Sequence, residues 1–299
     1  MKGHFPMSMR FILAFMALLL PLSAFAEAAN PIEFSAQIKS LEHKYGGRIG
    51  VAALNTANQH KVAYREDESF ALCSTFKFLL AAAILTRVDS GKEALDRSIP
   101  YSAKDMQEHA PVALQHLAEG KMSVGDLTEG TMIYSDNTAA NLLLESVGGP
   151  KELTQYIRSL GDKTTRIDRF EPELSDNIRG DPRDTTTPSA MLHAMHQLLI
   201  ENALTAASKE RLTGWLIRNT TGDAKIRAAM PKSWKVGDKT GSGKNGASND
   251  IAIIWPEGQK PFLVSVYYTG STLSADEKNA VIAEVGRIVR RTFYPEQGL

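Results

Sequence analysis

The 299-residue chain has very little cysteine: a single residue, Cys73. No intramolecular disulfide can therefore brace the fold, whatever the redox compartment. It also lacks an excess of either charge, with 34 basic against 34 acidic residues, so nothing favours a nucleic acid or an anionic membrane surface as partner. Its seven histidines include no set with zinc-ligand spacing; His193 and His196 are three apart but have no third ligand near them. We expect no metal and no cofactor. A Gly-x-Ser-x-Gly elbow, which would announce a serine–histidine hydrolase, is also missing. No apolar run beyond residue 26 is long enough to span a bilayer, which takes about 20 residues.

The first 26 residues read as a targeting segment. Lys2 and Arg10 form a basic opening, Phe11 to Leu20 an apolar run too short for a span, and Ala24-Phe25-Ala26 a cleavage signature. The mature chain is expected to begin near Glu27, to be exported, and to stay off the membrane once cleaved. Losing two basic residues leaves it slightly acidic. About 270 residues remain, enough for one large domain or two interleaved lobes.

What is present points to acyl transfer. Ser74-Thr75-Phe76-Lys77 places a hydroxyl and an amine three residues apart, ahead of the apolar helical run Phe78 to Leu85. Positions i and i+3 share a helix face, so Lys77 can reach Ser74. A helix N-terminus also brings free N–H groups and positive potential to the serine. Nucleophile, base and oxyanion site would then lie together. An ordinary helix start with a solvated lysine would produce the same four residues, so the tetrad needs company.

Further along the chain, Ser135-Asp136-Asn137 precedes a helical run and Lys239-Thr240-Gly241 follows a strand-like stretch, Ser233 to Asp238. Between them lies Arg169-Phe170-Glu171-Pro172-Glu173-Leu174. The steps are 61 residues from Ser74 to Ser135, 36 to Glu171 and 68 to Lys239. A second triplet, Ser175-Asp176-Asn177, has no helical pattern after it and reads as loop. In order and spacing the chain resembles the class A serine β-lactamases, from about residue 30 to the end. Pro111-Val112 and Arg183-Asp184-Thr185-Thr186 extend the likeness.

The resemblance implies that Ser74 attacks the lactam carbonyl of a penicillin or cephalosporin, conferring resistance to these antibiotics. Lys77, or Glu171 through a water, takes the proton; the choice stays open. Ser135 passes a proton to the departing nitrogen, and Asn137 bonds the substrate's side-chain amide. Lys239, Thr240, Gly241 and Ser242 meet its carboxylate. The Ser74 and Ser242 N–H groups form the oxyanion hole, where one donor is worth ~3 kcal/mol in other hydrolases. Glu171 activates the water that clears the acyl-enzyme. The resemblance also implies an Arg169–Asp184 pair, a cis Glu171-Pro172 bond, a monomer and a periplasmic or secreted location.

Three positions depart from the family pattern. Ser175 stands where many relatives have an asparagine that helps hold the hydrolytic water, and altered carbapenem turnover is expected from it. Ser248 stands where several relatives place a carboxylate-binding arginine; Lys225 reads as an ordinary surface lysine first and as a replacement for that arginine second. His109 falls where a cleft-edge aromatic is usual. Cys73 reads as a buried, inert thiol; some carbapenem-hydrolysing relatives pair a cysteine here with one where this chain has Gly243. Two rivals fit less well: against a D-alanyl-D-alanine peptidase inhibited by penicillin stand Glu171 and the expected lack of a membrane anchor, and a penicillin-sensing receptor domain would need a transmembrane segment and a signalling region, neither of which is expected here.

The fold expected is α/β of the α+β type: an antiparallel sheet of about five strands flanked by terminal helices, with a mainly helical second lobe. Asn30-Pro31 starts the first helix, with Phe34, Ile38, Leu41 and Tyr45 as its apolar stripe. Strands follow at Ile49 to Leu54 and Lys61 to Tyr64, and return near Trp234 to Thr240, Asp250 to Trp255 and Phe262 to Tyr268. Helices begin at Ser123, Pro150, Thr187 and Thr205, and the last at Ser274, with Glu277 completing a capping box. The sheet lobe takes residues 27–68 and 219–299, the helical lobe 69–218, with the site between them.

Overall fold

The computed structural model describes residues 1–4 and 31–297. The targeting segment and the capping role read for Asn30 lie outside the described residues. In chain order the elements are α1 (Pro31–Tyr45), β1 (Arg48–Asn55), β2 (His60–Tyr64), β3 (Phe70–Ala71), α2 (Phe76–Asp89), β4 (Ser98–Pro100), β5 (Lys121–Ser123), α3 (Val124–Ile133), α4 (Asn137–Ser146) and α5 (Pro150–Ser159). After a long loop come β6 (Thr185–Thr186), α6 (Pro188–Leu199), α7 (Ala206–Ile217), β7 (Lys235–Ser242), β8 (Ser248–Trp255), β9 (Phe262–Thr269) and α8 (Ala275–Phe293).

Five strands form one antiparallel sheet in the order β2-β1-β9-β8-β7. Both ends of the chain build it. Its strands are apolar on both faces because both are covered, and the alternation sorts side chains between two cores. In β8, Ala252 and Ile254 turn to a cluster with Phe34 and Ile38 of α1 and Val281, Ile282 and Val285 of α8. Ile251 and Ile253 turn to the other cluster, built around α2 and the helices α3 to α7.

The helix starts agree with the caps read from sequence. Ser123, Thr187, Thr205 and Ser274 each accept a backbone N–H at the N-terminus of their helices, and Ser274 with Glu277 forms the capping box. Two two-stranded pairs, β3 with β6 and β4 with β5, escaped the sequence reading. Strands of two or three residues carry no periodic signal. The K-T-G triplet also differs in placement: it lies inside β7, not after it. As β7 is the last strand of the sheet, this leaves one edge of the triplet unpaired within the sheet.

Candidate active site

Ser74 does not open an α-helix directly. It sits in a short 3-10 turn, Cys73–Thr75, and α2 begins at Phe76. Cys73 enters the turn at φ 44°, a strained conformation for a residue with a side chain. Neighbours enforce it: Asn249 Nδ2 on β8 donates to the Ala71 and Leu72 carbonyls at 2.9 and 3.1 Å. Thr75 Oγ1 donates back to the Leu72 carbonyl at 2.7 Å. The Ser74 side chain remains half-buried at the site, while Lys77 is wholly buried.

Lys77 reaches the second motif. Its ammonium donates to the Ser135 carbonyl at 2.7 Å, to Ser135 Oγ at 3.3 Å and to Asn137 Oδ1 at 2.5 Å. The Ser74 hydroxyl makes no hydrogen bond among the described residues, so the direct contact expected from the i, i+3 spacing is absent in this arrangement. Lys239 approaches Ser135 Oγ from β7, at 3.1 Å. Two ammonium groups thus flank one hydroxyl. Burial holds the Lys77 amine down at about 8, although Glu171 and Asp136 pull it up. Burial, and then repulsion from Lys77, carries Lys239 well below the usual lysine range.

Ser135 sits at φ 60° between α3 and α4, and Asp136 locks it there. One Asp136 oxygen caps α4 through Ala139 N, and the other accepts from Val112 N and Ala113 N. This clamp explains why Pro111-Val112 travels with the triplet. Asn137 N donates to the His109 carbonyl at 2.8 Å, which ties the exposed His109 to the second motif. The His109 imidazole lies 3.0 Å from the Tyr134 carbonyl.

Glu171 is 3% exposed. Burial raises its pKa; Lys77, the Ser175 hydroxyl and Lys239 counter the rise. Ser175 Oγ lies within hydrogen-bond reach of both its oxygens and donates to either. Asn141, one turn along α4 from Asn137, holds the Glu171 backbone at both N–H and carbonyl. Sequence reasoning missed Asn141, though its i+4 spacing from Asn137 puts both on one face. The Glu171–Pro172 bond is cis, and Arg169 Nε meets Asp184 Oδ2 at 2.6 Å.

The second Ser-Asp-Asn starts no helix, but it is not all loop as expected: Ser175 closes a short 3-10 turn, Glu173–Ser175, and loop begins at Asp176. Asp176 pairs with Arg169 and Lys244; Asn177 binds the Lys244 and Asn245 carbonyls and Thr269. Gly241 leaves room for the Leu72 carbonyl and the Asn249 amide, which a Cβ would meet at 3.1 and 3.2 Å. Thr240 is buried and Ser242 exposed. Lys225 is not the surface lysine expected: it is buried beneath these strands, held by its ammonium 3.0 Å from both Ser248 Oγ and the Asn249 carbonyl. Cys73 is fully buried, and burial pushes its thiol up to about 12.

Residues 33–293 match the model of the β-lactamase enzyme family. The chain belongs to that family. Among curated proteins it is 43% identical to the β-lactamase CTX-M-4 of Salmonella typhimurium over 286 residues, covering 96% of this chain and 97% of that one. It is 44% identical to the β-lactamase SME-1 of Serratia marcescens over 272 residues, covering 90% and 92%. Among solved structures, an ancestral class A β-lactamase aligns with a TM-score of 0.85 at 53% identity, covering 87% of this chain and all of that one. The protein is a class A serine β-lactamase, a hydrolase of β-lactams of the kind that confers antibiotic resistance.

Proposed function

We propose that this β-lactamase opens the lactam of penicillins and cephalosporins through Ser74 and clears the acyl-enzyme with a water activated by Glu171. Ser74 Oγ bonds to the lactam carbonyl carbon. Its proton leaves to the Lys77 amine or, by way of water, to Glu171. The C–N bond then breaks and the ring nitrogen takes a proton through Ser135, which Lys77 and Lys239 flank. In the second half, water attacks the ester, Glu171 takes its proton, and Ser74 leaves with one. Water is a poor nucleophile toward an ester unless a base accepts its proton.

The observation that carries this reading is the state of Glu171. It is buried, placed by Asn141, engaged by Ser175 at both oxygens and coupled to the Lys77 charge. A solvated loop carboxylate has none of this. Asn137 and His109 line one side for the substrate's side chain. Lys239, Thr240, Gly241 and Ser242 line the other for its carboxylate, with Lys225 adding charge from beneath through Ser248. Ser175 near the water is the reason to include carbapenem turnover. The cleft lies between a sheet lobe, 27–68 with 219–299, and a helical lobe, 69–218. The basic and apolar opening of the chain supports export to the periplasm or medium, and we take the enzyme to act there as a monomer.

The test is hydrolysis of excess benzylpenicillin with chelator present, read beside intact mass. We expect many turnovers from the native enzyme and a stalled penicilloyl adduct on Ser74 in Glu171→Ala. Full turnover in that variant would remove Glu171 from the mechanism.

A further inference from the structure

Beside the K-T-G strand lies a segment that none of the chemistry above uses, Asn219-Thr220-Thr221-Gly222, between α7 and β7. It is clamped on both sides. Thr220 donates to the Ile133 carbonyl, two positions before Ser135, through its backbone N–H at 3.1 Å and its hydroxyl at 3.0 Å. Asn219 Nδ2 donates at 2.6 Å to Oδ2 of Asp238, the neighbour of Lys239 on β7. Gly222 packs so closely on the same carboxylate that a Cβ would lie 1.7 Å from Oδ2. Thr221, itself exposed, is thereby fixed against buried Thr240, with the two hydroxyl oxygens 2.5 Å apart.

Counting donors assigns the protons on these two hydroxyls. Thr221 N lies 3.2 Å from one side-chain atom of Asn219; an N–H can only donate, so that atom is the carbonyl oxygen Oδ1. The amide nitrogen then faces Asp238, whose other oxygen takes the Arg227 guanidinium, and the two contacts agree on the orientation. Thr221 Oγ1 lies 2.8 Å from the same Oδ1, which can only accept. The one hydroxyl proton of Thr221 is therefore committed to Asn219. Toward Thr240 it offers a lone pair, so Thr240 is the donor of that contact. Thr240 Oγ1 has no other hydrogen-bond partner among the described residues, and its single proton is engaged by Thr221.

A hydroxyl that meets a carboxylate has to donate to it, since an ionised carboxylate only accepts. We propose that Thr221 is a specificity-determining residue, whose hydroxyl competes with the substrate's carboxylate for the one proton of Thr240. When the carboxylate binds, Thr240 turns its proton toward it. Thr221 then turns its own proton from Asn219 to Thr240, and Asn219 Oδ1 keeps only the Thr221 N–H. No covalent bond changes and no proton leaves its oxygen. Binding an anionic substrate thus costs the Thr221–Asn219 hydroxyl bond, about a fivefold loss in affinity. A neutral ester draws the Thr240 proton far less strongly, because that hydrogen bond lacks the charge. The competition rests on the proposed role of Thr240 at the substrate's carboxylate.

The test measures dissociation constants for benzylpenicillin and its methyl ester in a Ser74→Ala background, where no acyl-enzyme forms. Thr221→Val keeps the shape and removes the competing hydroxyl. It should tighten benzylpenicillin about fivefold and leave the ester unchanged. Thr221→Ser, which restores the hydroxyl, should bind both as the native residue does. With Ser74 in place, KM for benzylpenicillin should fall in Thr221→Val while kcat holds, the pattern of a change in binding alone. Equal or weaker binding of benzylpenicillin in Thr221→Val would overturn the competition. So would equal tightening of acid and ester, which marks a change of shape rather than of proton. Equal affinity for acid and ester with native Thr221 would overturn the carboxylate reading of Thr240 itself. A native preference for the acid that Thr221→Val leaves unchanged would sink the competition and spare that reading.

Discussion

Ser175 Oγ stands 2.8 Å from one oxygen of Glu171 and 3.1 Å from the other. A single hydroxyl proton can serve one of them at a time, yet it favours the ionised carboxylate in either position. Burial works the other way and raises the Glu171 pKa. The base we propose for clearing the acyl-enzyme is thus held between two opposing effects.

Removing the hydroxyl should tip that balance. In Ser175→Ala the Glu171 pKa rises further, because the hydrogen bond that lowered it is gone. Less of the base is ionised at a given acidic pH. The acid limb of kcat for benzylpenicillin should therefore move up by about one pH unit, the worth of one hydrogen bond to a charged group. Ser175→Asn should change deacylation rates for both penicillin and imipenem. An acid limb that stays in place in Ser175→Ala would detach Ser175 from control of Glu171.

The acylation base can be found by its pH dependence. The Lys77 amine titrates near 8, and Glu171 is one of the charges that raise it. Glu171→Ala removes that charge, so the amine should titrate below 8 in the variant. If Lys77 takes the Ser74 proton, the single-turnover acylation rate in Glu171→Ala rises with pH and levels off at or below pH 8. If the base is water on Glu171, acylation itself falls by about 100-fold or more. Rapid-quench mass spectrometry of the adduct separates the two.

The Arg169–Asp184 pair is a matter of stability. Asp184 is fully buried and also accepts the backbone N–H groups of Asp168 and Arg169. Arg169→Ala leaves a buried carboxylate without its cation, a loss of about 3 kcal/mol. Urea denaturation should show it, and adding Asp184→Asn should restore part of the loss. Equal midpoints for Arg169→Ala and the native enzyme would mean that the pair contributes nothing measurable.

Lys225 should act on substrates through charge alone. Its ammonium is engaged by Ser248 Oγ and the Asn249 and Gly241 carbonyls, so it does not project freely into the cleft. Lys225→Met should raise KM for benzylpenicillin about tenfold, with a smaller effect on kcat. The methyl ester of the same penicillin, lacking the carboxylate, should be insensitive. Equal losses on both substrates would mark Lys225 as structural.

Much of this architecture can be read in the chain because its signals are local. A capping serine or threonine before an apolar stripe places Ser123, Thr187, Thr205 and Ser274 within one turn of their helices. The four motifs are legible as types and spacings, and the structure joins them: Lys77 and Lys239 meet at Ser135 Oγ, and Asn141, one turn from Asn137, holds Glu171. What sequence could not supply was partnership across elements. Asn141 reads as an ordinary helix residue until Glu171 arrives from thirty positions away. Asn249 is one more strand residue until its amide meets the Leu72 carbonyl. The two-residue strands β3 and β6 exist only as a pair. The contact of Lys77 with Ser74, argued from helix spacing, gave way to stronger acceptors on α4 and the turn before it.

Gly243 shows how tightly these parts are set. A Cβ there would lie 2.4 Å from the Ser175 carbonyl oxygen and 2.7 Å from Cys73 Sγ, where ordinary contact is 3.4–4 Å. Both neighbours are anchored. Ser175 O accepts from Lys244 N, and Cys73 is held in the turn that presents Ser74. A methyl group can be admitted only by moving the loop that carries Glu171 or the turn that carries Ser74. Gly243→Ala should therefore cost about 2 kcal/mol by overpacking, and kcat for benzylpenicillin should fall about tenfold as Glu171 loses its setting. Adding Cys73→Gly relieves the sulfur contact but not the carbonyl. Stability should then recover in part while kcat stays low. Recovery of both would place the strain on the nucleophile's turn, and native values in Gly243→Ala itself would show that the loop yields freely.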